Sequence, residues 1–295
     1  MNSEKGYLKS LVHQFWDYAE AELILEEPLL DSEQRDERRP PVFRKDKEAR
    51  NLLIPPGANS KYRAAVEATI PLKERHRWFR SMKSSQAVAQ SVFGNLIVSG
   101  KLSLLESLES DQGLPAFCDN LAKASVQLEY SVKHLGEPRP TSVDLWVNGS
   151  RRIAVECKLT EEDFGTCSRP RLKEGKDSNF SRDHCDGNYT RQRARQSRCS
   201  LTEIGVRYWD HVSGLFDWSG NDDLVPCPLS STYQLVRNVL AACVSPDGYI
   251  DTNKAHALII YDARNPSFQS GGVANNQWNA ARAALKEPGL LRSCS

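Results

Sequence analysis

Hydrophobic and polar residues alternate in the middle of the chain, along the two arms of residues 141–160 (TSVDLWVNGSRRIAVECKLT). This alternation predicts a β-hairpin, and the Asn-Gly dipeptide at 148–149 supplies its turn. Because successive side chains of a strand point to opposite faces, Asp144 lies on the face opposite its hydrophobic neighbours. Glu156 and Lys158 share one face of the second arm. With the matching strand register, these three side chains converge on one patch of the sheet.

The hydrophobic pattern predicts further elements on both sides of this hairpin. Residues 84–99 and 230–244 begin with serine and carry hydrophobic residues at helical spacing, which favours amphipathic helices. Residues 126–133 alternate as a strand, and the hydrophobic run 255–263 is typical of an interior strand. Helices are also predicted at residues 7–27, 101–110, 117–124 and 274–286, and loops at 31–47 and 51–61. The order helix, three-strand meander, helix and strand predicts a mixed α/β sheet flanked by helices.

The domain organisation follows from this order of elements. Residues 1–83 are predicted to form an N-terminal helical extension and loop, and residues 84–295 the main domain. A segment rich in Cys, Arg, Gly and Asp, at about residues 164–227, is too long for a plain connection. We therefore expect it to be an insertion in the main domain.

Four cysteines of this insertion make it a candidate metal site. A secretory signal is not expected, so four thiols in one insertion favour metal binding over disulfides. A Zn²⁺ ion or an iron–sulfur cluster takes four thiolates, and His184 is a substitute ligand. The spacings lack any C-x-x-C pair, so reduced and unpaired cysteines are the alternative, with equal weight. The candidate ligands are Cys167, Cys185, Cys199 and Cys227.

The overall charge changes the picture little, because a net charge of +1 gives no global argument for nucleic-acid binding. Two local patches do favour nucleic-acid binding. Residues 73–83 hold five Lys or Arg against one Glu, and residues 169–198 hold nine Lys or Arg against four acids. Such patches suit phosphate contacts, with ordinary solvated surface as the alternative. The candidate DNA contacts are Arg77, Arg80, Arg191, Arg193 and Arg195. The hydrophobic runs are too short to cross a bilayer, so a cytoplasmic protein without membrane contact is expected.

The hairpin carries a set of side chains suited to phosphodiester hydrolysis. Two carboxylates, Asp144 and Glu156, provide oxygen ligands for a hard cation such as Mg²⁺ or Mn²⁺. Lys158 can orient or help deprotonate an attacking water, and it offsets charge that develops on a phosphate. An acid and a Glu-x-Lys on neighbouring strands also arise as a solvated face or an ion pair, which is the structural alternative.

The sequence Asp144, a short hairpin and Glu156-Cys157-Lys158 resembles the motif of the PD-(D/E)xK nuclease superfamily, which includes restriction endonucleases and repair nucleases. The proline that usually precedes the first acid is replaced by Val143. The resemblance implies a restriction-endonuclease-like core and assigns metal binding to Asp144 and Glu156 and water positioning to Lys158.

The same resemblance implies supporting residues on the neighbouring elements. An additional acid from the preceding strand or helix would help to hold the metal, and Glu129 is the candidate, with Gln86 as a weaker one. The helix after the Glu-x-Lys strand would direct Gln234 and Arg237 to the metal centre or to a phosphate. A solvated glutamate and a solvated helix face are the alternatives for these residues.

Together these observations predict a Mg²⁺-dependent deoxyribonuclease that hydrolyses phosphodiester bonds, with DNA as its partner. The second hypothesis is a non-catalytic nucleic-acid-binding protein that uses the basic, Cys-rich, metal-stapled insertion. A purely structural sheet is the third. A homodimer is kept open as an assembly state, because nothing in the sequence decides the number of subunits.

Overall fold

The computed structural model describes residues 3–23, 29–34, 36–118, 120–140, 142–168, 185, 199–220 and 227–295. A five-stranded sheet with the order β1-β2-β3-β4-β5 lies at its centre. The strands are β1 (Ser125–Ser131), β2 (Ser142–Asn148), β3 (Arg152–Lys158), β4 (Ala255–Tyr261) and β5 (Leu291–Cys294). The first three are antiparallel neighbours, whereas β4 and β5 run parallel to β3. The predicted mixed α/β sheet and its three-strand meander are therefore confirmed.

Helices cover this sheet on both faces. They are α1 (Ser3–Glu22), α2 (Ser60–Glu67), α3 (Ser85–Ala89), α4 (Asn95–Val98), α5 (Ser200–Glu203), α6 (Tyr208–Leu215), α7 (Tyr233–Cys243) and α8 (Val273–Ala284). The predicted helices at 84–99, 230–244 and 274–286 thus form. Those predicted at 101–110 and 117–124 shrink to the 3-10 turns Leu102–Leu105 and Leu121–Lys123. Helix α2 begins inside the predicted loop 51–61, and β5 was not predicted.

A π turn, Gln90–Gly94, joins α3 to α4 and explains why the predicted helix is interrupted. The Gln90 amide, fully buried, donates hydrogen bonds to the carbonyl oxygens of Val66 (2.9 Å) and Glu67 (3.1 Å) at the end of α2. A Cβ on Gly94 would lie 2.9 Å from the Thr69 hydroxyl. Glutamine and glycine therefore let α2 pack closely against this turn.

Two hydrophobic clusters lie on opposite faces of the sheet. The first holds Trp146 and Ala154 with residues of α6 and α7, and the second holds Leu145 and Val155 with Phe93 of the π turn. From Leu145 onward in β2, and along β3, odd and even residues thus point to different layers, as the alternation predicted. Glu156 and Lys158 consequently share the face of β3 that α7 covers.

The strand faces exchange at Glu129, which has a left-handed backbone with a φ of 49°. Leu128 packs in the second cluster, yet Tyr130, two residues on, packs against the first and stacks on Trp146. The same exchange occurs on β2 between Leu145 and Val143. A left-handed conformation is unfavourable for a residue with a Cβ, so the surrounding structure imposes it at this point.

The N-terminal helix α1 attaches beside the end of β3. The Tyr7 hydroxyl donates to the carbonyl oxygen of Leu159 (2.9 Å) and approaches the Asp262 carboxylate (3.1 Å), which also pairs with Arg264. In the part of the chain that the structure describes, none of the helices combines the length and hydrophobicity that a membrane span requires.

Candidate active site

Three carboxylates stand in one row across β1, β2 and β3. Glu129 and Asp144 lie between two cross-strand pairs, Leu128 with Leu145 and Tyr130 with Val143. The β2–β3 pairing ends at Leu145 and Val155, and Asp144 and Glu156 are the next residues on the two strands. There the backbone N–H of Cys157 donates to the Asp144 carboxylate at 2.6 Å. The predicted convergence of Asp144, Glu156 and Lys158 is therefore what the strand register produces.

Glu156 is held by two cations and an amide. Its Oε1 lies 2.9 Å from Lys158 Nζ, and its Oε2 accepts from Arg237 Nη2 (3.3 Å) and Asn238 Nδ2 (3.1 Å). Burial of the carboxylate, which is 7% exposed, would raise its pKa, but the charges of Lys158 and Arg237 outweigh burial and lower it. Glu156 is thus an ionised carboxylate at neutral pH.

Lys158 is held as an ammonium ion. Its Nζ donates to Glu156 and, at 2.7 Å, to Oε1 of Gln234 on the first turn of α7. Burial disfavours the charge, but the carboxylates of Glu156 and Glu161 outweigh burial and raise the pKa of Lys158. Among the described residues, two of the three ammonium hydrogens have acceptors, which leaves one for a further ligand.

Asp144 and Glu129 have the opposite character. Burial raises the pKa of Asp144 well above its ordinary value, and repulsion from Glu156 adds to this, although the Cys157 N–H and Lys158 oppose it. Burial also raises the pKa of Glu129, against hydrogen bonds from Ser142 and Gln86. Two carboxyl groups beside an ionised third one are a site where a cation would relieve repulsion.

The spacing along α7 explains why one helix supplies several of these partners. Gln234, Arg237 and Asn238 are separated by three and four residues, so they fall on one side of the helix, toward β3. Leu235 and Val239 pack in the first hydrophobic cluster and fix the helix against β3 and β4. Position on the helix face thus decides which residues reach Glu156 and Lys158.

A protein-family model described as "Restriction Endonuclease associating with ARP" matches residues 30–294, which is most of the chain. The chain belongs to this family. No curated protein and no solved structure gives a significant match. Family membership supports a nuclease-type function with DNA as the suggested substrate, and the mixed sheet with its flanking helices is consistent with a restriction-endonuclease-like core.

Two other residues predicted for the site in this member of the restriction endonuclease family are buried. Gln86 is 4% exposed. Its side-chain oxygen accepts a hydrogen bond from the backbone N–H of His76 (3.0 Å), and its side-chain nitrogen donates to the backbone carbonyl of Glu74 (3.1 Å). Arg237, predicted as a phosphate contact, is 3% exposed and binds Glu156 and Asn238, which places it beneath the carboxylate rather than at the surface.

The predicted DNA contacts of the basic patches divide in the same way. Arg80 forms a largely buried ion pair with Asp31 (2.6 Å) and donates to the Phe43 carbonyl, so it holds the N-terminal segment in place. Arg77 is exposed beside Trp78. The other three predicted contacts lie outside the described residues: Arg191, Arg193 and Arg195.

The four cysteines of the insertion lie near one another. Burial raises the pKa of Cys227 to about 12, and the thiols of the other three, Cys167, Cys185 and Cys199, contribute to that rise. All four are thiols that form no disulfide with a described cysteine. Within the described ranges, however, no group of three or more His, Cys, Asp or Glu side chains is arranged to hold a metal ion. The zinc or iron–sulfur hypothesis stays a prediction, and its substitute ligand, His184, lies outside the described residues.

Two residues of the site were not among the predicted ones. Asn238 completes the hydrogen bonds of Glu156, and the carboxylate of Glu161 accepts from Ser85 (2.8 Å) and from the Leu159 N–H (2.8 Å). The signal for Asn238 was its spacing of four residues from Gln234 on the same helix. Glu161 follows the Glu-x-Lys strand directly, but only the fold brings Ser85 to it.

Proposed function

We propose that this protein is a metal-dependent deoxyribonuclease that hydrolyses phosphodiester bonds through a restriction-endonuclease-like active centre. The observation that carries the proposal is that Asp144 and Glu156 lie on neighbouring strands beside Lys158. Hydrogen bonds to Glu156 and Gln234 hold the Lys158 ammonium group in place. A structural ion pair would need no second carboxylate with a raised pKa beside it. Family membership supports the same class of function.

The donor chemistry fits Mg²⁺ or Mn²⁺. Magnesium is commonly held by one or two carboxylates, with water and substrate phosphate completing its shell, so Asp144 and Glu156 suffice as protein ligands. The raised pKa of Asp144 also indicates a carboxyl group whose ionised form lacks a counter-ion. When bound, the cation supplies an acidified water and offsets negative charge on the phosphate.

The side chains of the site have separate roles in the reaction. Lys158, with one ammonium hydrogen left over, donates to the attacking water or to a non-bridging phosphate oxygen. Because its pKa is raised, it acts as a hydrogen-bond donor and not as a base. Gln234 fixes its direction, and Arg237 with Asn238 keeps the Glu156 carboxylate ionised and oriented.

The test is DNA cleavage by purified protein with Mg²⁺ or Mn²⁺, on duplex, single-stranded and branched substrates, with EDTA as a control. Lys158→Ala is expected to lower the rate by roughly 100-fold or more, as loss of a charge-stabilising donor does. The matched control is Lys101→Ala, which removes an exposed lysine. Cleavage that persists in EDTA, or an equal rate in the Lys158 variant, refutes the proposal.

DNA binding without any cleavage would instead support the second hypothesis, a non-catalytic nucleic-acid-binding protein that uses the Cys-rich insertion. We propose that the four clustered thiols bind a zinc ion or an iron–sulfur cluster, which holds this insertion together. Elemental analysis of the purified protein tests this: about one zinc, or stoichiometric iron with sulfide, supports the hypothesis, and neither metal refutes it.

The family description names an association with ARP, and we propose that this chain shares that association. We also keep a homodimer as a proposal. Size-exclusion chromatography with light scattering, on the protein alone and after co-expression with ARP, distinguishes a monomer, a dimer and a mixed complex.

A further inference from the structure

A cavity of about 520 Å³ opens beside the residues that follow β3. Its walls come from the N-terminal segment, from the turn before α3, and from the residues that follow β3. The lining includes Arg39, Trp78, Lys83, Ser85 and Glu161. Its volume is in the range of small-ligand sites.

Trp78 presents an exposed aromatic ring at this cavity. The side chain is 45% exposed, whereas the next residue, Phe79, is 1% exposed and packs in the core. The backbone N–H of Trp78 donates to His76 Nδ1 (2.9 Å), and the other ring nitrogen of His76 lies 3.0 Å from the Ser84 hydroxyl. The ring therefore stands on a turn that hydrogen bonds hold, with part of its surface open to a ligand in the cavity.

Two cations lie near the ring or in the lining of its cavity. The Arg77 guanidinium lies 5.0 Å from the centre of the Trp78 ring, and Lys83 lines the cavity. Neither forms an ion pair with any residue in the part of the chain that the structure describes. The carboxylate in the lining, Glu161, is already satisfied by the Ser85 hydroxyl and by two backbone N–H groups. These neutral donors orient Glu161 but leave its negative charge in place, so the two cations exceed it by one positive charge.

Two short chain segments connect the cavity lining to the carboxylate row. Thr160 and Glu161 of its lining follow Lys158 by two and three residues, so Glu161 lies within roughly 11 Å of Lys158 along the backbone. On the other wall, Ser85 is followed by Gln86, which reaches Glu129.

We propose that this cavity binds an unpaired segment of the DNA substrate, with a base stacked on Trp78 and its phosphates contacted by Lys83 and Arg77. An aromatic face beside cations is the means by which proteins bind single strands without reading sequence. The inference rests on the proposed nuclease function and specifies its substrate class: DNA that is single-stranded next to the cut.

The test is fluorescence anisotropy with a labelled single-stranded oligonucleotide in EDTA, so that no cleavage is required. Trp78→Ala is expected to weaken single-strand binding about 5- to 100-fold, and Trp78→Phe to keep it within about threefold. Tyr249→Ala, which removes an exposed aromatic ring elsewhere, is the matched control. Lys83→Ala should reduce the slope of log affinity against log salt by about 0.7. A blunt duplex, a mononucleotide and single-stranded RNA serve as competitors.

Several outcomes overturn the inference: no single-strand binding by the wild type, unchanged affinity in Trp78→Ala, or an equal loss for single strand and duplex. Equal competition by RNA would contradict DNA as the occupant, and competition by the mononucleotide alone would indicate a nucleotide pocket. Binding that depends on Trp78 without metal-dependent cleavage would leave this site standing and remove the nuclease proposal. Cleavage without any effect of Trp78 would do the reverse.

Discussion

At the scale of single residues, the site combines two carboxylates with opposite energetic roles. Glu156 is stabilised as an anion by Lys158 and Arg237, whereas Asp144 is destabilised as an anion by burial and by Glu156. Opposite pKa shifts of two neighbouring carboxyl groups are typical of functional sites, because binding or catalysis needs groups that folding alone would not favour.

Replacing Asp144 by Asn is expected to stabilise the metal-free protein. A carboxyl group whose folded-state pKa is raised contributes stability at low pH and loses it as pH rises through the folded-state pKa. Above the unfolded-state pKa, Asp144 lowers stability whether it is ionised or retains its proton, and the substitution removes this cost, for a gain on the order of 1 kcal/mol. Urea unfolding in EDTA measures it. The advantage of the variant should shrink as pH falls, and a variant less stable than wild type at pH 8 would contradict this reading.

Replacing Glu156 by Gln is expected to do the opposite. Lys158 and Arg237 would lose their buried counter-ion, and breaking a buried pair from one side costs roughly 3 kcal/mol. The folded-state pKa of Glu156 is lowered, so its contribution is present at neutral pH and disappears as pH falls through that pKa. The same unfolding experiment measures it, and equal stability of the variant and the wild type at pH 7 would show that the pairs contribute nothing.

At the scale of elements, the sequence pattern predicted what depends on local periodicity. Alternation placed Asp144, Glu156 and Lys158 on one face of the hairpin, and helical spacing located α7 with Gln234 and Arg237. It missed two elements that depend on distant contacts. These are α2, whose last carbonyl groups accept hydrogen bonds from Gln90, and β5, a strand of four residues that pairs with β4. The left-handed backbone of Glu129 is also invisible to a pattern.

The close packing of the π turn on α2 gives a prediction at this scale. Gly94→Ala places a methyl group 2.9 Å from the Thr69 hydroxyl and 3.2 Å from a Val66 methyl group, so it should destabilise the fold by about 1–3 kcal/mol. Gly6→Ala in α1, where no atom lies within 4 Å, is the control and should be neutral or slightly stabilising. Thermal unfolding of the two variants decides, and equal melting temperatures would count against the tight contact.

At the scale of the whole molecule, metal binding, proton release and stability are linked. A cation bound at Asp144 and Glu156 stabilises the folded state by mass action, and it must displace the proton that the raised pKa of Asp144 retains. Mn²⁺ should therefore raise the melting temperature of the wild type, more at pH 8 than at pH 6, and leave Asp144→Asn almost unchanged. Thermal shift assays at both pH values measure this. A shift independent of pH, or equal in both proteins, would locate the metal elsewhere.

The measurement that tests the central claim most directly is single-turnover cleavage of DNA by the wild type and Asp144→Asn in Mg²⁺. Since the variant is expected to be at least as stable as the wild type, a loss of activity cannot be attributed to unfolding. The account predicts cleavage by the wild type and a rate at least about 100-fold lower in the variant. Equal rates would contradict it, as would the absence of cleavage by a folded wild-type protein on duplex, single-stranded and branched DNA alike.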